Sequence, residues 1–138
     1  MNTDIIKTIK NKSNIQVRYA ETDKMGVVYN ANYYIYFETG RTELVHKHNL
    51  YFTELEKEEK IFFPVLESYA KFHNPAYYED NLEIETIINY NYSPIFHIEY
   101  NIYRNDILIC SGYTKHIFIS QITNKPIKPP KKFIALFE

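Results

Sequence analysis

Residues 18–33 read Arg18-Tyr19-Ala20-Glu21-Thr22-Asp23-Lys24-Met25-Gly26-Val27-Val28-Tyr29-Asn30-Ala31-Asn32-Tyr33, and they join a strand to the dominant helix of the chain. Upstream, residues 15–20 alternate, with Ile15, Val17 and Tyr19 on one face and Gln16 and Arg18 on the other, the period of a strand. The run Glu21 to Gly26 breaks that alternation and reads as a loop. From Asn30 or Ala31 to His48 the spacing turns helical: Tyr34, Phe37, Arg41, Leu44, Val45 and His48 recur every three to four residues, and Glu43 precedes Lys47 by four. A short acidic helical piece follows over residues 52–60.

The second half has period two. Leu82, Ile84, Thr86 and Ile88 oppose Glu83 and Glu85, and Phe96, Ile98, Tyr100 and Ile102 oppose His97, Glu99 and Asn101. Over residues 107–120 the pattern puts Ile107, Ile109, Tyr113, Ile117 and Ile119 on one face. Asn74-Pro75, Glu79-Asp80-Asn81, Ser93-Pro94 and Arg104-Asn105-Asp106 mark the turns. A terminal amphipathic segment with Phe133, Ile134, Leu136 and Phe137 is placed to close over an edge. One strand, one long helix, then four strands predicts an α+β fold: an antiparallel five-stranded sheet with the helix on one face. One helix covers only part of such a sheet, so an aromatic-rich face and an edge stay bare, which predicts a homo-oligomer with a dimer as its minimal unit.

Composition removes several function classes. The 138 residues, without a Gly/Ser or Pro-rich linker, fit a single domain over residues 1–138. Sixteen Lys and Arg against seventeen Asp and Glu leave a net charge of -1, with no positive field for nucleic acid. One cysteine, Cys110, excludes a disulfide framework and a cysteine-built zinc site, and the five histidines show no metal spacing. No apolar run spans a bilayer, and Met1-Asn2-Thr3-Asp4-Ile5-Ile6-Lys7 lacks the apolar core of a signal peptide, so the expected location is the cytoplasm. The three glycines are few enough that each is expected where a side chain would clash.

The chemistry sits in the loop and the helix start. Gly26 permits a left-handed bend shortly after Asp23, and Val27-Val28-Tyr29 then leads into the helix. A helix N-terminus has unpaired N–H groups and a partial positive charge that can polarise a carbonyl and hold an oxyanion. A carboxylate across a short loop from it can attack the carbonyl carbon or activate a water. Asp23 and the backbone near Asn30 therefore form an acyl-transfer pair.

The run Thr22-Asp23-Lys24-Met25-Gly26-Val27-Val28-Tyr29, with Tyr33, Phe37-Glu38 and Arg41, resembles the signature of the hotdog-fold acyl-CoA thioesterases. The branch is the 4-hydroxybenzoyl-CoA thioesterase group that includes the YbgC-type enzymes. Pro64-Val65 to Pro75, Tyr78-Glu79-Asp80 and Ser111-Gly112-Tyr113-Thr114-Lys115-His116 extend the likeness over residues 13–132. The resemblance implies a sheet wrapped on one central helix and hydrolysis of a short- or medium-chain or aromatic acyl-CoA, or acyl-carrier-protein, thioester. It implies Asp23 as nucleophile or general base, Asn30 at the polarising N–H, and Tyr29, Tyr33 and Gly26 at the substrate. Dimers or tetramers with active sites at the dimer interface, and no metal or cofactor, are implied as well. Many YbgC-type members carry His where this chain has Asn30, whereas the 4-hydroxybenzoyl-CoA enzyme lacks it. Asn30 cannot titrate near neutral pH, so it is read as helix cap and hydrogen-bond donor to the thioester.

For the phosphates of coenzyme A, Lys71, Lys115, Lys125, Lys128, Lys131 and Lys132 are the candidate cations. Glu38 and Arg41, three apart, are read as an ion pair inside the helix. Gly40 within the helix points to close helix–sheet packing, and Cys110 to a small buried hydrophobe. A non-catalytic acyl-CoA or acyl-carrier-protein binding module is the alternative on the same scaffold. A dehydratase ranks last, because no histidine lies between Asp23 and Asn30.

Overall fold

In the computed structural model, which describes residues 7–138, the first strand β1 occupies Lys7–Gln16 and so begins and ends earlier than the alternation of residues 15–20 suggests. The signal-peptide reading concerns residues 1–6, which lie outside the described range. Lys7, Thr8, Lys10, Lys12 and Asn14 hide β1 from a hydrophobicity reading, and they suit a sheet edge, where charged side chains discourage unwanted pairing. Val17 leaves the strand and is held in the turn by its N–H to Asp80 O (2.9 Å) and by Glu79 N–H to its own carbonyl (2.9 Å). Tyr19, expected on the inner face with Val17, lies instead in a 3-10 turn over Tyr19–Glu21 and is exposed.

Helix α1 spans Asn32–Lys47, followed by α2 (Phe52–Lys57) and the short strand β2 (Ile61–Phe62). Four longer strands follow: β3 (Val65–Phe72), β4 (Asn81–Tyr90), β5 (Phe96–Arg104) and β6 (Ile107–His116). Strand β7 (Ile119–Ser120) pairs with β2, and α3 (Lys131–Ile134) ends the chain with a 3-10 turn over Ala135–Phe137. The main sheet is antiparallel in the order β1-β4-β5-β6-β3 and carries α1 on its inner face, the α+β hotdog arrangement.

The buried stripe of α1 is Tyr33, Tyr36, Phe37, Gly40, Leu44 and Val45, rotated from the expected one; Tyr34 and His48 are exposed. Gly40 sets this phase. A Cβ there would come within 2.3 Å of Thr86 Oγ1 and 2.9 Å of Ile84 Cγ2, so only glycine lets the helix approach β4 this closely. Phe37 then stacks on Tyr100 of β5, ring centroids 4.3 Å apart. Among the described ion pairs, Glu38–Arg41 is present at 3.9 Å, and Glu43–Lys47 is not.

Strand β4 alternates as read, and so does β5 up to Ile102, but β6 corrects the reading. The register slips at the Ile102/Tyr103 step, where Ile102 pairs with Cys110 and Tyr103 with Leu108. Ile109 is the extra residue of this bulge, so Ile109 and Cys110 are both buried and the alternation inverts beyond them. Thr114, His116 and Phe118 therefore face inward, while Tyr113, Ile117 and Ile119 do not. The terminal segment packs beside the edge strand β1, as expected, and also caps the core: Phe133 and Phe137 lie among Phe96, Phe118 and Tyr90.

Inside this core a polar chain runs from the Tyr100 hydroxyl to Thr114 Oγ1 (2.6 Å) and on to His116 Nε2 (2.8 Å), with Phe63 stacked on the imidazole at 4.4 Å. Burial, assisted by the charge of Arg41, pushes the His116 pKa down to about 4. An unfolded imidazole, near 6.5, takes up its proton before the folded one does, so the stability His116 contributes is present above that value. It is lost as pH falls toward the folded pKa, by on the order of 3 kcal/mol across the window. The urea midpoint is expected to drop between about pH 7 and 5 more steeply in the wild type than in His116→Gln, in which that position no longer titrates; parallel slopes would remove His116 as the cause.

Candidate functional site

The loop between β1 and α1 is organised by Glu21, a carboxylate only 9% exposed. Its Oε1 accepts the Arg18 N–H (2.9 Å) and the Tyr36 hydroxyl (3.0 Å), and its Oε2 accepts from the Arg18 guanidinium at 3.1 and 3.2 Å. Its carbonyl accepts the Tyr29 N–H (2.9 Å) and the Asn32 side-chain amide (2.8 Å). One residue thus ties the end of β1, the loop's exit and the first turns of α1. Burial and the Glu21 bond raise the Tyr36 pKa, so its hydroxyl stays a donor at any ordinary pH.

Asp23 stands at the neck of the loop. Its N–H donates to Val27 O (2.8 Å), its carbonyl accepts from Gly26 N–H (3.0 Å), and Oδ1 accepts the Met25 N–H (2.8 Å). This leaves Oδ2 without a partner among the described residues. Gly26 holds φ +82°, and a Cβ there would meet nothing within 4 Å. Backbone conformation selects this glycine, then, whereas packing selects Gly40 and Gly112. Val28 N–H reaches Ala76 O (2.8 Å) and pins the loop's apolar exit to the turn after β3.

The helix start also departs from expectation. Asn30 does not cap α1: the N-cap is Ala31, and no side chain bonds to the first turn. The amides of Asn32, Tyr33 and Tyr34 donate to the carbonyls of Tyr29, Asn30 and Ala31 (2.9, 3.3 and 3.3 Å). The N–H groups of Asn30 and Ala31 have no acceptor among the described residues, and these are the amides left to polarise a ligand. The Asn30 side chain is exposed and unengaged.

Asp23, Tyr29, Asn30 and Tyr33 come together on one cavity of about 390 Å³, joined by Val27 and Val28 and, from the end of β3, by Phe72 to Pro75. Tyr33 is 4% exposed; burial pushes its pKa up to about 12, and its ring meets Phe72 at 5.4 Å. Tyr29 is half exposed at the mouth. Gly26 does not line this cavity; it lies with Asp23 on an adjoining hollow. None of the six candidate lysines lines either space, and Lys24 does. Sequence reading missed Glu21, Phe72 and Lys24. Glu21 and Lys24 flank Asp23 within the motif itself, whereas nothing local marks Phe72, which arrives through the sheet. Among the described residues, no group of three or more His, Cys, Asp or Glu side chains could hold a metal ion.

The profile of the thioesterase-like superfamily matches residues 17–137. A putative acyl-CoA thioesterase, YneP of Bacillus subtilis, is 34% identical over 125 residues, 88% of each chain. The acyl-CoA thioester hydrolase YbgC of Escherichia coli is 26% identical over 90% of this chain and 92% of its own. Among solved structures, a DHNA-CoA thioesterase from Staphylococcus aureus superposes with TM-score 0.80 at 31% identity, covering 86% of this chain and 80% of that one.

Replacing Glu21 by Ala leaves Tyr36 and Arg18 without their common partner, while the backbone carbonyl that holds the loop exit remains. The variant is expected to lose about 1–3 kcal/mol of stability and to exchange the amides of residues 23–30 faster, read by denaturation and hydrogen exchange. Unchanged exchange in that loop would deny Glu21 its organising role.

Proposed function

The chain belongs to the thioesterase-like superfamily, and on that premise we propose that it hydrolyses the thioester bond of an acyl-coenzyme A, giving a carboxylic acid and a free thiol. The observation that carries this reading is the shared cavity: Asp23, a carboxylate with a free oxygen, and Asn30, whose helix-entry amide is unengaged, line the same 390 Å³ space. The substrate carbonyl oxygen accepts from the N–H of Asn30 or Ala31, which draws electron density from the carbon. Asp23 either adds to that carbon through Oδ2 or takes a proton from the water that adds. In both forms the negative charge gathers on the carbonyl oxygen, the C–S bond breaks, and the electron pair leaves on sulfur. A thiolate is a stable leaving group, so no strong acid is required of the protein. Where Asp23 has added, water then hydrolyses the acyl anhydride and restores the carboxylate.

Tyr29 at the mouth and Tyr33 in the wall contact the acyl group, and Asn30 donates to the thioester in place of a titrating histidine. Strand β3 supports a homo-oligomer, dimer or tetramer. It is a sheet edge whose outer side has no partner among the described residues, and it exposes Val65, Leu66, Tyr69 and Phe72. Acyl carrier protein is an equivalent source of the thioester. No described helix is long and apolar enough to cross a membrane.

Asp23→Asn retains an oxygen for the Met25 N–H and removes the reactive carboxylate. Turnover of a panel of acyl-CoAs, followed by thiol release, is expected to fall on the order of 10²–10⁴-fold with an unchanged melting profile. Near-wild-type hydrolysis by a cleanly purified variant would refute the assignment, and binding without turnover in the wild type would make the chain a binding module. Light scattering at micromolar concentration is expected to give twice or four times the monomer mass; a monomer would leave the β3 edge unexplained.

A further inference from the structure

Helix α1 carries one charge that the proposed hydrolysis does not use. The chain has three arginines, Arg18, Arg41 and Arg104. Arg18 is largely exposed and meets Glu21 at 3.1 Å, and Arg104, less buried than Arg41, meets Asp80 at 2.9 Å. Arg41 is the most buried, its side chain 14% exposed, and also the most loosely paired. Its carboxylate, Glu38, stands 3.9 Å away and keeps 69% of its own side chain exposed. At that distance the contact is not a hydrogen bond. The other polar groups near Arg41 bring no counter-charge. Burial raises the Tyr100 pKa, so its hydroxyl stays protonated, and the His116 imidazole, with its pKa pushed down to about 4, is neutral. A guanidinium withdrawn from water costs stability until an anion meets its fork of N–H groups.

Arg41 borders a cavity of about 280 Å³ between α1, α2 and β2. Thr42 adds a second donor, and Phe52, Leu55, Phe62 and Phe63 give the space an apolar lining. Phe52 and Phe63 lie nearly parallel, ring centroids 5.6 Å apart at 13°. Glu38 and Glu56 line it as well, both exposed to water. No residue is shared with the lining of the Asp23 cavity, and Arg41 lies about 12 Å along α1 from Tyr33. Arg41 also borders a smaller hollow with Val65 and Ser68 of β3, on the side assigned above to a second copy.

A guanidinium beside an apolar floor selects a small acid with an apolar body. We propose that this cavity is a second binding site, for a monocarboxylate with an aromatic or short aliphatic body. Its carboxylate pairs with Arg41 and Thr42, and its body rests on Phe52 and Phe63. At about 30 Å³ per water-sized group the space takes about nine such groups, the heavy-atom count of benzoate. The two exposed carboxylates repel a dianion more than a monoanion, which disfavours phosphate esters. Glu38 gives up Arg41 at little cost, because water already solvates it. The site does not depend on the hydrolysis proposed above, although acids of this class are what that reaction releases.

Titration of benzoate into the isotope-labelled full chain, followed at the Arg41 Nε–H resonance and by calorimetry, tests the site without turnover. The resonance is expected to shift and to saturate by about 10 mM benzoate. Benzamide, which has the same body without the charge, is expected to leave it unmoved. Arg41→Lys keeps the charge and loses the fork, and is expected to bind benzoate about tenfold more weakly. Glu38→Gln removes the competing carboxylate and is expected to bind it about two- to fivefold more tightly. Glu38 is exposed, so this second variant keeps its fold whatever Arg41→Lys does. An unmoved resonance, an equal response to benzamide, or wild-type affinity in both variants overturns the proposal. So does benzoate binding lost in Phe72→Ala, which places the acid in the Asp23 cavity instead. An Arg41→Lys chain whose mass in light scattering halves, while benzoate leaves wild-type Arg41 unmoved, gives Arg41 to an interface between copies and overturns it as well.

Discussion

The buried carboxylate of Glu21 joins Arg18, just past β1, to Tyr36 of α1. Taking such a charge out of water costs several kcal/mol unless it is met by donors, and here the Arg18 amide, the Arg18 guanidinium and the Tyr36 hydroxyl meet it. Arg18 itself keeps most of its surface in solvent, so the pair is screened on one side. The return is positional. Because the Glu21 carbonyl also receives Tyr29 and Asn32, the spacing between Asp23 and the amides of Asn30 and Ala31 follows from one anchored turn rather than from a free loop.

A second constraint fixes where that turn sits. Gly40 lets α1 settle onto Thr86 and Ile84, and the orientation of α1 decides which way its first amides face. The Thr86 hydroxyl, which has no hydrogen-bond partner among the described residues, lies at this contact, where an alanine in place of Gly40 would strike it. Helix orientation and site geometry are therefore set at two places on α1: by packing near its middle and by hydrogen bonds at its start.

Legibility in the sequence followed the strength of local signals. The period-two runs of β4 and β5 and the helical spacing of α1 stated their elements correctly, because each buries one face against a continuous core. Polar β1 could not be seen that way, since an edge strand of Lys and Asn shows little apolar alternation. The face of β6 was read in the wrong phase because a one-residue bulge at Ile109 inverts every side chain beyond it, and a bulge leaves no mark in hydrophobicity. In the site, Asp23 and the helix start were picked out from the loop's own residues and Tyr29 and Tyr33 through the family resemblance, and all of them border one cavity. Phe72 to Pro75 were not legible, because only the pairing of β3 with β6 brings them across the loop.

That last dependence links the cavity to the sheet edge. Phe72 forms part of the cavity wall while belonging to β3, a strand hydrogen-bonded on one side only. Its neighbours His73 and Asn74 are tied back to β6 through their amides to Ile109 O (2.8 and 3.2 Å), and His73 Nε2 lies 2.8 Å from Ser111 Oγ. The bulge that flips β6 thus also supplies the carbonyl that anchors the wall. A wall held from one side has room to move, and a second strand pairing along the outer side of β3 would remove that freedom. Association through this edge would then fix the cavity wall in place.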